Sequence, residues 1–136
     1  KIEYKNRSIV ISGDTIYSEN VLEASKNVDV LFHEAMSAEI LNMLYEVLPI
    51  DSLSRVGIKD VQNYHTEAID AARLAKKANV QHLILYHLLP APRNYMLENI
   101  FVRGLKEEFK NFTLSDDGTI VFLPTNSKEI IIREIK

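Results

Sequence analysis

The 136-residue chain contains no cysteine. That absence excludes a disulfide framework, thiolate metal ligands and a cysteine nucleophile together. It fits a reducing compartment, and a cytoplasmic location is expected. Long apolar runs are also missing. The longest, around Leu83 to Leu89, is interrupted by Tyr86 and His87 and is too short to span a bilayer, so no membrane association is expected. The net charge of −3 provides no global basic field for nucleic acid, although lysines and arginines are spread along the chain and leave room for a local patch. No linker, low-complexity segment or strong internal repeat is visible. The first residue is Lys rather than Met and no signal peptide precedes it, so the chain is expected to have been processed or cut from something longer. What is present is the composition of a globular protein, 46% hydrophobic and 26% charged, in a length that supports one domain with a core.

Hydrophobic patterning predicts a β-hairpin over "IEYKNRSIVIS", turning at Lys5-Asn6, because Asn tolerates the left-handed backbone of a tight turn. Ser18 is placed to cap a short helix carrying Val21, Leu22 and Ala24. "VDVLFH" reads as a buried strand ending at His33. "AEILNMLYEVL" carries a helical stripe of Ile40, Leu41, Leu44 and Leu48 that Pro49 stops. Residues 50–63 show weak periodicity and read as a loop with some helix. Thr66 is placed to cap a helix that opens with Glu67 and Asp70 and ends with Lys76 and Lys77, the charge order favoured by the macrodipole. Its alanines form a small-residue face suited to close packing on a sheet, and Asn79 can end it. "VQHLILYHL" is a near-continuous apolar strand stopped by Pro90. Asn94 caps a further amphipathic helix through Phe109. The chain ends in a hairpin around Asp117-Gly118 and a last strand, "EIIIREI". Strand, helix and strand in repeated succession imply an α/β domain with a mixed sheet.

Four polar sites occupy one kind of position, the C-terminal end of an apolar strand or the entry to a helix. They are Asp14 in "ISGDT", His33-Glu34, His65-Thr66 and His87. Ligands of open α/β sheets bind at that edge, and Asp with His suits zinc, manganese or iron. Each residue alone has a plainer reading. Asp14 would be a loop residue or cap, His33 a hydrogen-bonded structural histidine, His65 part of the cap, and His87 a core histidine. His82 lacks such a setting and reads as surface. Taken in order, the four are far more specific.

The motifs "SIVISGDT", "VDVLFHEAM" and "HTEAIDAARLAKKANVQHLILYH" resemble the C-terminal half of the metallo-β-lactamase fold, in the branch of tRNase Z-type endonucleases and arylsulfatase-like hydrolases. The resemblance covers nearly the whole chain, 1–136, and implies half of an αββα sandwich, a mixed sheet with helices on its outer face. It implies that Asp14 bridges two divalent metal ions, zinc first with manganese or iron as alternatives, and that His87 completes the shell of the second. Gly13 would clear space for them. His65 would contact the scissile group and protonate the leaving group, and His33 with Glu34 would orient His65. Two metals would activate a bridging hydroxide and hold the developing charge.

Met36 stands where the tRNase Z pattern has Thr, and "YHLLPAP" stands where it has a "THFS"-like run. Both point from a dedicated tRNA-processing enzyme toward a general hydrolase of phosphodiesters or other esters, with a small-molecule ester or RNA as substrate. The HxHxDH motif and a further His ligand, which belong to the family's N-terminal half, are absent from this sequence. With Asp14 and His87 as its metal ligands, the chain alone is expected to bind zinc weakly or not at all and to be inactive. Its partner is then the missing N-terminal half or a second copy in a homodimer, covering an inner sheet face lined by Ile9 to Ile11 and Val80 to Leu85. The alternatives are a non-catalytic oligomerisation or binding module of the same fold and an unrelated α/β domain with structural histidines.

Overall fold

The computed structural model describes residues 1–135. Lys5 and Asn6 both take the left-handed backbone, φ +45° and +62°, in a two-residue turn of the kind whose twist matches its flanking strands. It joins β1 (Ile2–Tyr4) to β2 (Arg7–Ile11), with Ile2 opposite Ile9. Then follow α1 (Glu19–Ser25), β3 (Val30–Met36), α2 (Ala38–Val47), α3 (Leu53–Val61), α4 (Ala68–Lys77), β4 (His82–Leu89), α5 (Tyr95–Phe101), α6 (Leu105–Glu108), β5 (Phe112–Leu114), β6 (Thr119–Phe122) and β7 (Ile131–Glu134). Strands β1 to β5 form one mixed sheet in sequence order, antiparallel only at β1–β2. No helix among the described residues is long and apolar enough to cross a membrane.

Helix α4 shows why the sheet is rigid. Ala68, Ala71, Ala72 and Ala75 are each at most 3% exposed. With only methyl groups between them and the sheet, α4 packs directly on β3 and β4, flanked by α1 and α6. Leu31, Leu83 and Leu85 are wholly buried on that face, each a contribution of about 1.5–3 kcal/mol. Asn79 ends the helix at φ +53°. Thr66 does not cap it. Its hydroxyl donates to the Thr15 carbonyl at 2.6 Å, and Glu67 occupies the N-cap position without capping the helix by its side chain, which instead accepts from Ala38 N.

Several elements depart from the expectations. Strand β3 continues past His33 to Met36, because Met36 N donates to the Thr66 carbonyl and extends the edge toward α4. Residues of the expected loop form α3, capped by Ser52. The amphipathic segment after Asn94 breaks at Gly104, φ +78°, into α5 and α6. The turn at Asp117-Gly118 exists, but its arms do not pair with each other. β5 adds in parallel to β4, and β6 pairs with β7 in a separate two-stranded sheet. Ser115 explains the split, since both its N–H and its hydroxyl are bound to the Leu85 carbonyl, holding this arm on β4. His82 is half-buried rather than on the surface, bonded to Thr113 at 2.9 Å.

The exposed sheet surface is narrower than anticipated. Val10, Val80, Leu83, Ile84 and Leu85 are buried, while Ile2, Tyr4 and Ile11 stand 57%, 65% and 52% exposed. The apolar opening is therefore confined to the β1–β2 side. Leu123 and Thr125 approach it and share a cavity of about 170 Å³ with Ile2, Tyr4 and Ile9.

Candidate metal centre

The C-terminal ends of β2, β3 and β4 lie side by side because the three strands are parallel and adjacent. Past the end of β2 the backbone turns sharply at Gly13, φ +66°. A Cβ at Gly13 would meet no protein atom within 4 Å, so what the fold itself needs from glycine there is the left-handed backbone. The turn is held from two sides. Ser12 Oγ accepts from Glu34 N at 3.1 Å and donates to the Gly13 carbonyl, and Gly13 N donates to the Tyr86 hydroxyl at 3.2 Å. Asp14 is thereby presented outward, its side chain 60% exposed.

His87 reaches the same edge by a different device. Opposite β3, Glu34 pairs with Tyr86 but Ala35 pairs with Leu88, so His87 is the extra residue of a β-bulge. Its φ is +45°. In an unbroken ladder it would take the orientation of Leu83 and Leu85 and point into the core. The bulge passes that place to Leu88, which packs against the core, and re-aims the imidazole to solvent at 50% exposure. His87 Nε2 lies 3.4 Å from Asp14 Oδ1.

His65 comes from the segment before α4. It is buried to 7% exposure, with its ring centroid 5.6 Å from that of His87. Its Nδ1 donates to Glu34 Oε2 at 2.9 Å, and Thr66 N donates to the other Glu34 oxygen at 2.7 Å. Glu34 is fully buried with both oxygens engaged, so it fixes the ring and turns Nε2 away from itself. Ligand atoms of Asp14, His65 and His87 all lie within 4.8 Å of one another.

His33 does not join this group. Successive residues of a strand face opposite ways, so with Glu34 turned to the site His33 must point into the helix-packed core. There it is fully buried, with Nδ1 2.7 Å from the Glu34 carbonyl and, among the described residues, no partner for Nε2. Because that carbonyl can only accept, Nδ1 carries the proton. Burial lowers the His33 pKa below its ordinary value of 6.5. Orientation of His65 thus rests on Glu34 alone. Sequence reasoning missed Ser12, Thr15 and Tyr86 as the tethers of this edge; only the Ser12 hydroxyl, inside the "ISGDT" turn, carried a visible signal. Beside His87 opens a cavity of about 430 Å³ bordered by Leu88, Pro92, Glu98, Asp116 and Asp117.

Nitrogen and carboxylate donors in this set suit zinc, manganese or iron. Three donors converging at one point fit a divalent ion at a partial shell, and they fall short of the donors that two complete shells require.

No family model matches the chain. It is 34% identical over 113 residues to ribonuclease Z of Prochlorococcus marinus strain NATL1A, a match covering 81% of this chain and 31% of that protein. It is 32% identical over 114 residues to ribonuclease Z of Anoxybacillus flavithermus, covering 83% and 31%, and 30% identical over 117 residues to that of Bacteroides fragilis, covering 86% and 33%. The chain thus spans about a third of the length of the curated relatives it matches. Among solved structures it is similar to the metallo-β-lactamase fold protein YhfI from Bacillus subtilis, with TM-score 0.50 and 22% identity over 78% of this chain and 35% of that one. The resemblance carried by the motifs therefore stands: the chain is ribonuclease Z-like and holds the C-terminal part of a metallo-β-lactamase fold.

Proposed function

We propose that this chain supplies the C-terminal part of the active site of a binuclear metal-dependent hydrolase acting on a phosphodiester or another ester. The observation that carries this reading is the meeting of Asp14, His65 and His87 at one strand edge, with Glu34 behind His65. Asp14 and His87 would hold the metal ions, which when bound would supply an activated water and charge stabilisation. His65 is the leaving-group acid. Glu34 accepts the Nδ1–H in either protonation state of the ring, so Nε2 can take up a second proton and deliver it to a departing oxygen. His33 supports the site only through the backbone of β3. The remaining donors, and the cover for Ile2, Tyr4 and Ile11, come from the rest of a protein as long as the relatives.

Metal analysis and turnover of the complete gene product test the reading. Zinc, manganese and iron should each be tried on the metal-free protein, with a small phosphodiester, a carboxylic ester and RNA as substrates. Metal-dependent turnover that Asp14→Ala removes is expected. Stable metal binding without turnover of any ester would instead support a non-catalytic module of the same fold. This chain alone should bind zinc weakly, because in this reading it supplies Asp14 and His87 as ligands while His65 serves as the acid, and a stable zinc site takes about three to four protein ligands. A fully coordinated binuclear site formed by this chain alone would overturn the division of donors drawn here.

A further inference from the structure

One aromatic side chain at the metal edge has no part in the chemistry described so far. Tyr64 precedes His65 in the turn between α3 and α4, and it is 44% exposed where His65 is buried. Its N–H donates to the Val61 carbonyl at 3.3 Å, which folds the turn back on the end of α3. Rings of neighbouring residues meet only where the backbone swings both to one side. Here the Tyr64 and His65 centroids are 5.0 Å apart, with planes tilted by 48°. That is inside the range of packed aromatic pairs, about 4.5–7 Å. His65 meets His87 at 5.6 Å, so the acid touches both the metal ligand and Tyr64.

We propose that Tyr64 is a specificity-determining residue of this site, its ring stacking on a planar ring carried by the departing alcohol, such as a nucleoside or an arylmethyl alcohol. The inference rests on the hydrolase reading and adds to it a contact for the leaving half of the substrate. His65 donates its proton to the oxygen that departs, so whatever is bonded to that oxygen leaves past His65 and past the ring beside it. Tyr64 is not needed to aim His65, because Glu34 already holds Nδ1 at 2.9 Å. Tyr86, the other tyrosine at this edge, is committed through its hydroxyl to Gly13 N. Tyr64 instead keeps nearly half of its surface open. An aromatic face accepts any planar ring, so the contact selects for a ring and not for one base.

Turnover by the complete gene product, loaded with metal, tests this with two substrate pairs. One pair is a short RNA with a nucleobase or an abasic sugar on the departing nucleotide. The other is a benzyl and a cyclohexylmethyl phosphodiester, whose alcohols depart with similar ease. The wild type should prefer the planar member of at least one pair by about 5-fold or more in kcat/KM, the usual worth of a base stacked on an aromatic side chain. A preference in the RNA pair assigns the ring to a nucleoside, and one in the benzyl pair alone to a small arylmethyl alcohol. Tyr64→Phe should keep the preference. Tyr64→Ala should remove it, and so should Tyr64→Leu, which guards against a poorly folded alanine variant. If Tyr64 only supported His65, both members of each pair would slow equally and the ratio would stay, which would overturn the proposal. A second readout needs no turnover: quenching of an oligoribonucleotide that ends in 2-aminopurine, bound to the metal-free protein. Quenching that Tyr64→Ala abolishes, without turnover of any ester, would sink the hydrolase reading and leave the ring contact standing. Turnover with no preference for a planar member would sink the ring contact and leave the hydrolase. Absence of both turnover and quenching would overturn the two together.

Discussion

Strands β3 and β4 are neighbours, run parallel and each carry a histidine near the C-terminal end, yet the two histidines have opposite fates. His33 follows the pleat of β3 and is sealed in the core, fully buried and, among the described residues, with one nitrogen unpartnered. His87 escapes the pleat of β4 through one extra residue and stands half exposed beside Asp14. The lesson is that residue type and strand position do not decide between structural and chemical roles. The direction of the backbone at that one residue does.

The contrast can be broken most severely at the exposed edge. In the complete protein, Asp14→Ala should reduce hydrolysis to background, because no neighbouring carboxylate is placed to bridge; turnover and metal content measured together check this. His65→Ala should lower the rate by about 10²- to 10⁴-fold, the usual worth of a general acid, while metal content is largely kept. Equal metal loss in both variants would erase the distinction between ligand and acid. The buried histidine should behave in reverse. His33→Ala should cost about 2–3 kcal/mol in urea unfolding through a cavity in the core, with the donors at the edge unchanged. His87→Ala should lower metal affinity with little loss of fold stability.

A finer test concerns the bulge itself. At φ +45° an L-residue is strained, so His87→Gly should be more stable than His87→Ala by about 1 kcal/mol, despite the added freedom of the unfolded chain. Equal stabilities would mean that the bulge holds no strain. The smallest effect is on pH dependence. Burial lowers the His33 pKa, so the unfolded chain takes up a proton near 6.5 while the folded chain resists it. The His33 contribution is then complete above about pH 6.5 and stability falls as pH drops below it. His82, also lowered by burial, acts in the same direction. Urea midpoints between about pH 5.5 and 7 should show a shallower slope in His33→Ala.

Much of the site was legible before any coordinates. Asp14, His65 and His87 were marked by their places at strand ends and helix entry, and Glu34 by its neighbour. What could not be read is what the pleat and the ladder decide. A period of two assigns His33 and Glu34 to opposite faces only once one face is known to be the core. A bulge leaves no mark in "LILYHLLP", because an inserted residue looks like any other. The hairpin expected around Asp117-Gly118 is a turn without paired arms, because alternation in "FTL" says nothing about which strand it will join, and Ser115 commits it to β4. Some helix is expected over 50–63, but the bounds of α3 are not legible because it has no buried face to impose a period.

The bulge at His87 also bears on how such a chain changes over generations. Leu88 fills the core place that an unbroken β4 would give to His87, so the imidazole is available only because the strand is one residue out of phase with β3. Substitutions elsewhere in β4 leave that phase intact. A single-codon deletion just after His87 would close the bulge and put the histidine in Ala35's row, and a single-codon insertion at the same place would restore the bulge. The length of the strand after this point, rather than choice of amino acid, is therefore the inherited variable that switches this position between core and surface, and lineages would acquire or forfeit the exposed imidazole by small gaps in the gene.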